Sequence, residues 1–380
     1  MTYRAPAALS CFMAEFRHIY VHVPFCDVIC HYCHFYTART AETDQREFFR
    51  ALGKELRRAR GGLSSGLEAI YFGGGTPGAS PPDELAKFLE LLKTHRTEKT
   101  EITIETNPSN VTRERARLWR EAGINRVSLG VQSLDDATLR RLGRVHSADE
   151  ARRAVDAIAG EIDNVTCDLI YAVPEQDEAL PAAHALELHR LGAKHLSFYH
   201  LTLEKGHFLH SKLPPDDFAW RQLRRVADAL EPIGFDHYEI ASFALPGRES
   251  RNNKNYWFGG PYFALGPSAH GFDGDRTRWT HVSDWREYVR RAEVGECTRA
   301  WTETLTDEQR RIEVVFTSLR TREGLDLKAF RKSFGESLAE TRAELLGRWR
   351  EEGLARLDGG RLVLTFEGRM LVDELTKALL

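Results

Sequence analysis

The sequence predicts an α/β protein built around a parallel sheet, because six apolar strand-like runs alternate with six amphipathic helical patterns. The strand-like runs are residues 19–23, 69–72, 102–105, 126–131, 165–170 and 196–201, and the helical patterns are residues 48–60, 83–93, 113–122, 148–159, 178–191 and 217–233. Six such units form either an open doubly wound sheet or a partial barrel, and the pattern does not choose between them. In both architectures the working face lies at the carboxyl ends of the strands.

The composition is that of a globular protein of two or three domains. The chain has 380 residues, 42% of them hydrophobic, and its net charge of −3 argues against bulk attraction to nucleic acid or to anionic membranes. No apolar run is long enough to span a bilayer, so we expect no integral membrane segment. Three of the six cysteines are clustered, whereas Cys11, Cys167 and Cys297 are scattered. This is not the spacing of a secreted disulfide scaffold, and we expect a cytoplasmic protein.

The clustered cysteines, Cys26, Cys30 and Cys33, form a Cys-x-x-x-Cys-x-x-Cys run directly after the first predicted strand. Three thiolates on one loop can bind an iron–sulfur cluster and leave one of its irons open for an exchangeable ligand. His31 and His34 lie beside these cysteines, and imidazole is a good zinc ligand. The loop taken alone therefore leaves a zinc site, or thiols that bind no metal, as alternatives.

Polar residues follow the other predicted strands at the same edge of the sheet. Gly73-Gly74-Gly75-Thr76-Pro77 follows the second strand, Glu105 ends the third, Gln132 and Arg144 follow the fourth, Asp168 lies on the fifth, and Tyr199 and His200 lie on the sixth. Consecutive glycines let the backbone approach a ligand closely. Glu105 can accept hydrogen bonds from ribose hydroxyls, and Arg144 can pair with a carboxylate. Together these groups favour S-adenosyl-L-methionine (SAM) as the ligand.

These motifs resemble the radical SAM superfamily, whose main marks are the cysteine run and the Gly-Gly-Gly-Thr-Pro run. Residues 20–26, Glu105 with Asn107-Pro108, residues 130–133 and residues 142–146 are similar to the oxygen-independent coproporphyrinogen III dehydrogenase branch. The resemblance extends from about Ile19 to the C-terminus. It implies a partial (β/α)6 TIM-like barrel, and a [4Fe-4S] cluster on which the amine and carboxylate of SAM bind the open iron.

The resemblance also implies roles for individual residues. Cys26, Cys30 and Cys33 would bind the cluster, and Tyr20, Gly74 and Glu105 would contact the SAM on it. Six further residues match positions that line a second SAM site in the dehydrogenases: Tyr32, Gly75, Thr76, Gln132, Arg144 and Asp168. The sequence does not indicate whether one or two SAM molecules bind.

The residue at position 35 distinguishes the dehydrogenases from the heme chaperones within this branch of the superfamily. The dehydrogenases have a fourth cysteine two residues after the third, and a longer region before the cysteine loop. This chain has Phe35 at that position, as do the HemW-type heme chaperones. The resemblance therefore implies a chaperone that binds heme as cargo and delivers it to heme-dependent proteins. The alternative is a radical SAM enzyme acting on a tetrapyrrole, as a coproporphyrinogen dehydrogenase or in heme breakdown.

One residue of a motif that the family links with heme handling differs in this chain. Residues 238–243, 255–257 and 265–271 resemble the continuation of the chaperones, which often contain His-Asn-x-x-Tyr-Trp. Here Asn252 occupies the histidine position, and asparagine is a poor ligand for heme iron. The candidates for heme contact are therefore Tyr256, Trp257 and His270, with His237 and the histidines beside the cysteines as further possibilities. The alternative for Tyr256 and Trp257 is simple aromatic packing.

The last part of the chain has a different pattern. Helical patterns cover residues 308–319, 327–334 and 338–352, and Asp358-Gly359-Gly360 lies between alternating runs that predict a hairpin at 353–364. This order resembles a winged-helix-like α+β module, but its balanced charge argues against nucleic-acid binding. We predict an N-terminal extension at 1–17, a radical SAM core at 18–240, a region covering the barrel at 241–303 and the winged-helix-like domain at 304–380.

Overall fold

The structure is a computed structural model that describes residues 15–39 and 41–380. Most of the predicted N-terminal extension, including Cys11, lies outside the described residues. The division of the chain into four regions stays a prediction.

A nine-stranded sheet forms the centre of the molecule. Its strands are β1 (His18–Val23), β2 (Leu67–Gly74), β3 (Arg96–Thr106), β4 (Arg126–Gln132), β5 (Asn164–Tyr171), β6 (His195–His200), β7 (Asp236–Glu239), β8 (Ser242–Ala244) and β9 (Phe263–Leu265). The spatial order is β7-β8-β6-β5-β4-β3-β2-β1-β9, and β1 to β6 are parallel neighbours. The predicted six-unit parallel core is confirmed.

Helices cover the sheet between successive strands. They are α1 (Glu42–Ala59), α2 (Pro82–Glu90), α3 (Arg113–Ala122), α4 (Asp136–Arg141), α5 (Ala148–Ala159), α6 (Leu180–Arg190) and α7 (Asp216–Leu230). The start of α5 has a capping box: the Ser147 hydroxyl accepts a hydrogen bond from Glu150 N, and the Glu150 carboxylate accepts one from Ser147 N. On β1, Ile19, Val21 and Val23 are fully buried, so one face of the strand packs into the core.

The region predicted to cover the barrel, residues 241–303, also extends the sheet. In this region β8 pairs antiparallel with β6, and β9 pairs parallel with β1. The sheet therefore continues past residue 240, because strands of three residues are too short to produce the periodicity on which that boundary was based. The remaining elements are α8 (Arg251–Trp257), α9 (Trp285–Val294) and a second sheet of β10 (His270–Phe272), β11 (Thr277–His281) and β12 (Arg299–Thr304).

The C-terminal module has its own hydrophobic core and a three-stranded sheet. It contains α10 (Asp307–Ser318), β13 (Leu325–Asp326), α11 (Leu327–Phe334), α12 (Leu338–Thr341), α13 (Ala343–Glu351), β14 (Ala355–Asp358), β15 (Arg361–Leu364), α14 (Phe366–Met370) and α15 (Val372–Leu379). The predicted hairpin is β14–β15. The helix predicted at 338–352 is two helices, because the backbone of Arg342 leaves the helical region between them.

The module packs against the β7 edge of the large sheet. Arg369 is buried there and donates hydrogen bonds to His237 O (2.8 Å) and His237 Nδ1 (3.0 Å). Arg322 N also donates to Tyr238 O at 2.9 Å. These contacts cover the backbone of a strand that would otherwise be an open sheet edge. Among the described residues, no helix is long and apolar enough to cross a membrane.

Candidate cofactor site at the strand ends

A cavity of about 430 Å³ opens at the carboxyl ends of the parallel strands. Its volume is in the range typical of sites for one small-molecule ligand. The predicted site residues that line it are Cys26, Cys30, Tyr32, Cys33, Gly74, Gly75, Thr76, Glu105, Gln132, Arg144 and Asp168. The structure therefore brings together residues that come from five successive strand–helix units.

A chain of hydrogen bonds connects two of the cysteines across this cavity. Arg144 Nη1 donates to Cys30 Sγ at 3.2 Å, and Arg144 Nη2 donates to Asn107 Oδ1. Asn107 Nδ2 donates to Thr76 Oγ1 at 3.0 Å, and Thr76 Oγ1 lies 3.3 Å from Cys26 Sγ. The cysteine loop is therefore fixed to the ends of β2 and β3 and to the segment after α4.

Two acidic side chains lie deeper in the cavity. Tyr71 Oη donates to Glu105 Oε1 at 2.7 Å, and Gly74 N donates to Glu105 Oε2 at 3.1 Å. Burial raises the pKa of Glu105 to about 7, with a further contribution from the nearby Asp168. Burial also raises the pKa of Asp168, although the Ser128 hydroxyl donates to it at 2.7 Å. Both groups can therefore change protonation state when a polar ligand enters.

The backbone of β4 is distorted where it reaches the cavity. The pairing of β4 with β5 shifts register between Leu129 and Gln132, and Gln132 has a φ of 62°, in the left-handed region. Non-glycine residues rarely adopt this conformation, and it is concentrated at functional sites. The distortion places Gln132 on the cavity wall at the cost of regular strand geometry.

The chain is similar over nearly its whole length to proteins of one known family. Residues 20–186 match the model of the radical SAM superfamily, and residues 305–371 match that of the HemN C-terminal domain. The heme chaperone HemW of Bacillus subtilis (strain 168) is 32% identical to the chain, covering 95% of this chain and 98% of the relative. HemW of Mycobacterium tuberculosis (strain ATCC 25618 / H37Rv) is 34% identical, with 95% and 94% covered. The chain belongs to the HemW family of radical SAM proteins.

The fold is also shared with a solved enzyme structure. Coproporphyrinogen III oxidase (HemN) from Escherichia coli superposes with a TM-score of 0.82, at 19% identity, over 98% of this chain and 91% of that protein. At this identity the likeness establishes the architecture alone. Membership of the radical SAM superfamily implies a [4Fe-4S] cluster and SAM.

The thiols of this HemW-family chain fit a cluster better than a single metal ion. Cys26, Cys30 and Cys33 are free, half-buried and on one cavity wall. In the part of the chain that the structure describes, no three His, Cys, Asp or Glu side chains converge on one metal position. A cubane binds each cysteine through a different iron, so its ligands need not converge. Burial raises the pKa of Cys26 to about 11, and cluster formation must therefore stabilise this thiolate.

Tyr20 and the heme candidates of the HemW-family chain lie apart from the cavity lining. The Tyr20 hydroxyl pairs with His22 Nδ1 at 3.1 Å, and the Tyr256 ring packs edge-to-face on Tyr262 with centroids 4.6 Å apart. Trp257 Nε1 is buried and has no hydrogen-bond partner among the described residues. His270 is exposed at the start of β10. None of these four residues is among those that line the cavity in the described chain.

Several further residues line the cavity, of which Tyr199 and His200 were already expected at the strand ends. They are Val28, Ile29, His34, Phe35, Thr37, Thr106, Asn107, Ser128, Gly130, Ile170, Tyr199, His200, Leu201 and Thr202. Asn107 was expected with Glu105 in the family motif but was given no role, although it directly follows Glu105-Thr106 at the end of a predicted strand. The apolar members carry no chemical signal in the sequence, and only the folded loop shows that they border the cavity.

The raised pKa of Glu105 predicts a pH-dependent stability. In the folded protein the carboxyl keeps its proton up to about pH 7, whereas in the unfolded chain it ionises near pH 4.5. Between these values the folded state binds the extra proton, so stability falls as the pH rises through this window, by about 3 kcal/mol in total. Glu105→Gln should remove this contribution.

The measurement is urea unfolding of the cluster-free protein at several pH values between 4.5 and 8. The difference in unfolding free energy between Glu105→Gln and wild type should grow as the pH rises and level off above about pH 7. Parallel pH profiles for the two proteins would show that Glu105 titrates normally.

Proposed function

We propose that this protein is a heme chaperone that binds a [4Fe-4S] cluster and SAM, takes up heme and delivers it to heme-dependent proteins. The observation that carries the proposal is the end-to-end similarity to proteins named heme chaperones, at 32% and 34% identity over 95% of the chain. Phe35, in place of a fourth cysteine, supports the same branch. We place the protein in the cytoplasm, which the absence of a membrane-spanning helix among the described residues permits.

In this proposal each of Cys26, Cys30 and Cys33 binds one iron and leaves the fourth iron to SAM. When bound, the cluster supplies one-electron chemistry at that open iron. The family resemblance assigns Tyr20, Gly74 and Glu105 to the SAM on the cluster; Gly74 and Glu105 line the cavity, whereas Tyr20 is not among its lining residues. A second SAM position is assigned to Tyr32, Gly75, Thr76, Gln132, Arg144 and Asp168, and the placement of these six on the cavity wall supports it.

The protein side chains prepare this site electrostatically. The Arg144 guanidinium contacts Cys30 Sγ at 3.2 Å and provides a positive charge beside the thiolates. Gly74 N and the Tyr71 hydroxyl hold the Glu105 carboxyl in a fixed orientation. A bound ribose can then exchange hydrogen bonds with Glu105 without reorganising the cavity wall.

The test is to reconstitute the cluster anaerobically, titrate the protein with heme, and analyse the products by mass spectrometry after adding reductant, SAM and coproporphyrinogen III. We expect stoichiometric heme binding, transfer of that heme to an apo-hemoprotein, and no conversion of either tetrapyrrole. Decarboxylation or heme breakdown that disappears in Cys30→Ala would instead identify an enzyme. Cys297→Ser, a change at an exposed cysteine, is the matched control.

A further inference from the structure

The mouth of the cavity has an exposed apolar rim, formed by Val28, Ile29 and Phe35. Their side chains are 37%, 46% and 69% exposed, and all three lie on the cysteine loop and line the cavity. Exposed apolar side chains that cluster beside a cavity mark binding surfaces more often than isolated ones do. A flat, largely apolar macrocycle is a ligand that would cover this rim.

His34 lies next to Phe35 and presents an imidazole to the same opening. Its side chain is 59% exposed and lines the cavity. His34 Nδ1 lies 3.9 Å from Glu204 Oε1, and Nε2 has no hydrogen bond to any residue that the structure describes. At this distance the two groups form no hydrogen bond, so neither ring nitrogen of His34 is occupied by a residue that the structure describes. His34 therefore offers an exposed ring nitrogen that is free to bind the iron of a ligand at the cavity mouth.

The neighbouring histidine, His31, is not available in this way. His31 Nε2 donates to Arg141 O at 3.0 Å, so its Nδ1 accepts from His207 Nε2 at 3.1 Å. His207 Nδ1 in turn accepts from Leu209 N at 3.1 Å. Both nitrogens of His31 and both nitrogens of His207 are thus occupied, and neither ring can bind iron unless the loop after β6 moves.

The remaining candidates are weaker for other reasons. His200 also lines the cavity, but it lies on β6, outside the cysteine loop that carries the apolar rim, and its ring packs on Tyr171 with centroids 5.4 Å apart. Asn252 is buried and has no imidazole. Burial raises the pKa of Tyr256 well above its usual value, which disfavours the phenolate form that binds iron. His270 is exposed on β10 but is not among the residues that line the cavity, whereas His34 lines it and directly precedes Phe35 of the apolar rim.

We propose that His34 is the axial ligand of the heme iron and that the porphyrin lies across Val28, Ile29 and Phe35 at the cavity mouth. This assignment rests on the proposed function, because heme enters only as the cargo of the chaperone. The cavity wall is already assigned to the cluster and SAM, so the larger macrocycle lies outside it, at the mouth. The cargo is then adjacent to the cluster loop, and not on α8, where Asn252 lies.

The test compares matched substitutions on one loop, His34→Gln and His31→Gln, in the cluster-reconstituted protein. Each variant is titrated with hemin, and the ferrous complexes are examined by resonance Raman spectroscopy for the iron–histidine stretch. We expect His34→Gln to lose this vibration and to bind hemin at least about tenfold more weakly, the low end of what disturbing a metal ligand costs. His31→Gln should keep the vibration. Iron and sulfide content should be unchanged in both variants.

The outcomes separate this assignment from the proposed function. If wild type binds heme and His34→Gln keeps the iron–histidine vibration, the assignment to His34 is wrong and the chaperone proposal stands. Loss of the vibration in His200→Gln, with retention in His34→Gln, would move the ligand to the other side of the cavity and also overturn the assignment. If wild type binds no heme, the proposed function itself fails.

Discussion

Cys30→Ala is expected to abolish the iron–sulfur cluster. Only two thiolates would remain on the loop, and the hydrogen bond from Arg144 Nη1 to Cys30 Sγ would lose its acceptor. Cluster ligands contribute directly to binding, so a two-cysteine site should not hold four irons during desalting. SAM binding should be lost as well, because the open iron is its anchor in the proposed site.

The measurement is iron and acid-labile sulfide per chain after anaerobic reconstitution, together with equilibrium dialysis of SAM. Cys297→Ser is the control, because Cys297 is an exposed free thiol in the turn before β12. We expect the control to retain wild-type iron, sulfide and SAM binding. A fully loaded Cys30→Ala protein would contradict both the cluster assignment and the proposed role of the loop.

Gly74→Ala is expected to destabilise the folded protein by about 3 kcal/mol or more, through overpacking and left-handed backbone strain. Gly74 has a φ of 109°, and a Cβ at this position would overlap the imidazole of His22. His22 cannot move aside, because its Nε2 donates to Tyr36 O at 3.0 Å and its Nδ1 pairs with the Tyr20 hydroxyl at 3.1 Å. The hydrogen bond from Gly74 N to Glu105 would be displaced as well.

This change is measured by urea unfolding of the cluster-free protein, followed by circular dichroism. Gly66→Ala is the matched control, since a Cβ at Gly66 meets no atom within 4 Å and its φ is not positive. The control should change the unfolding free energy by less than about 0.5 kcal/mol. Equal stability of the two variants would mean that the end of β2 adapts more readily than its packing indicates.

The parallel core was predictable because of how it is buried. Strands covered on both faces contain nearly continuous apolar runs, so β4, for example, was expected at 126–131 and is found at Arg126–Gln132. The cofactor cavity followed from topology, since parallel strands bring their carboxyl ends to one face. All the predicted cluster and SAM residues except Tyr20 line that cavity. Tyr20 is not among the lining residues, and its hydroxyl pairs with His22.

The parts that could not be predicted depend on contacts between distant segments. β9 has three residues, and only its pairing with β1 identifies it as part of the main sheet. The approach of Glu204 to His34 depends on the path of the loop after β6, which has no periodic pattern. Likewise, the exposure of Phe35 is a property of the folded loop, although its identity was informative about the family.

The hydrogen-bonded chain from Cys30 through Arg144, Asn107 and Thr76 to Cys26 spans contacts between residues 114 and 50 positions apart. The complete chain of contacts requires the first four strand–helix units to be in place, because its members lie on loops of four different units. The hydrogen bonds that surround the cysteine loop therefore depend on the folding of sequence segments far from that loop. A bound cluster would in turn stabilise the arrangement of these four of the six units, because a group that binds the folded state and not the unfolded chain stabilises the folded state.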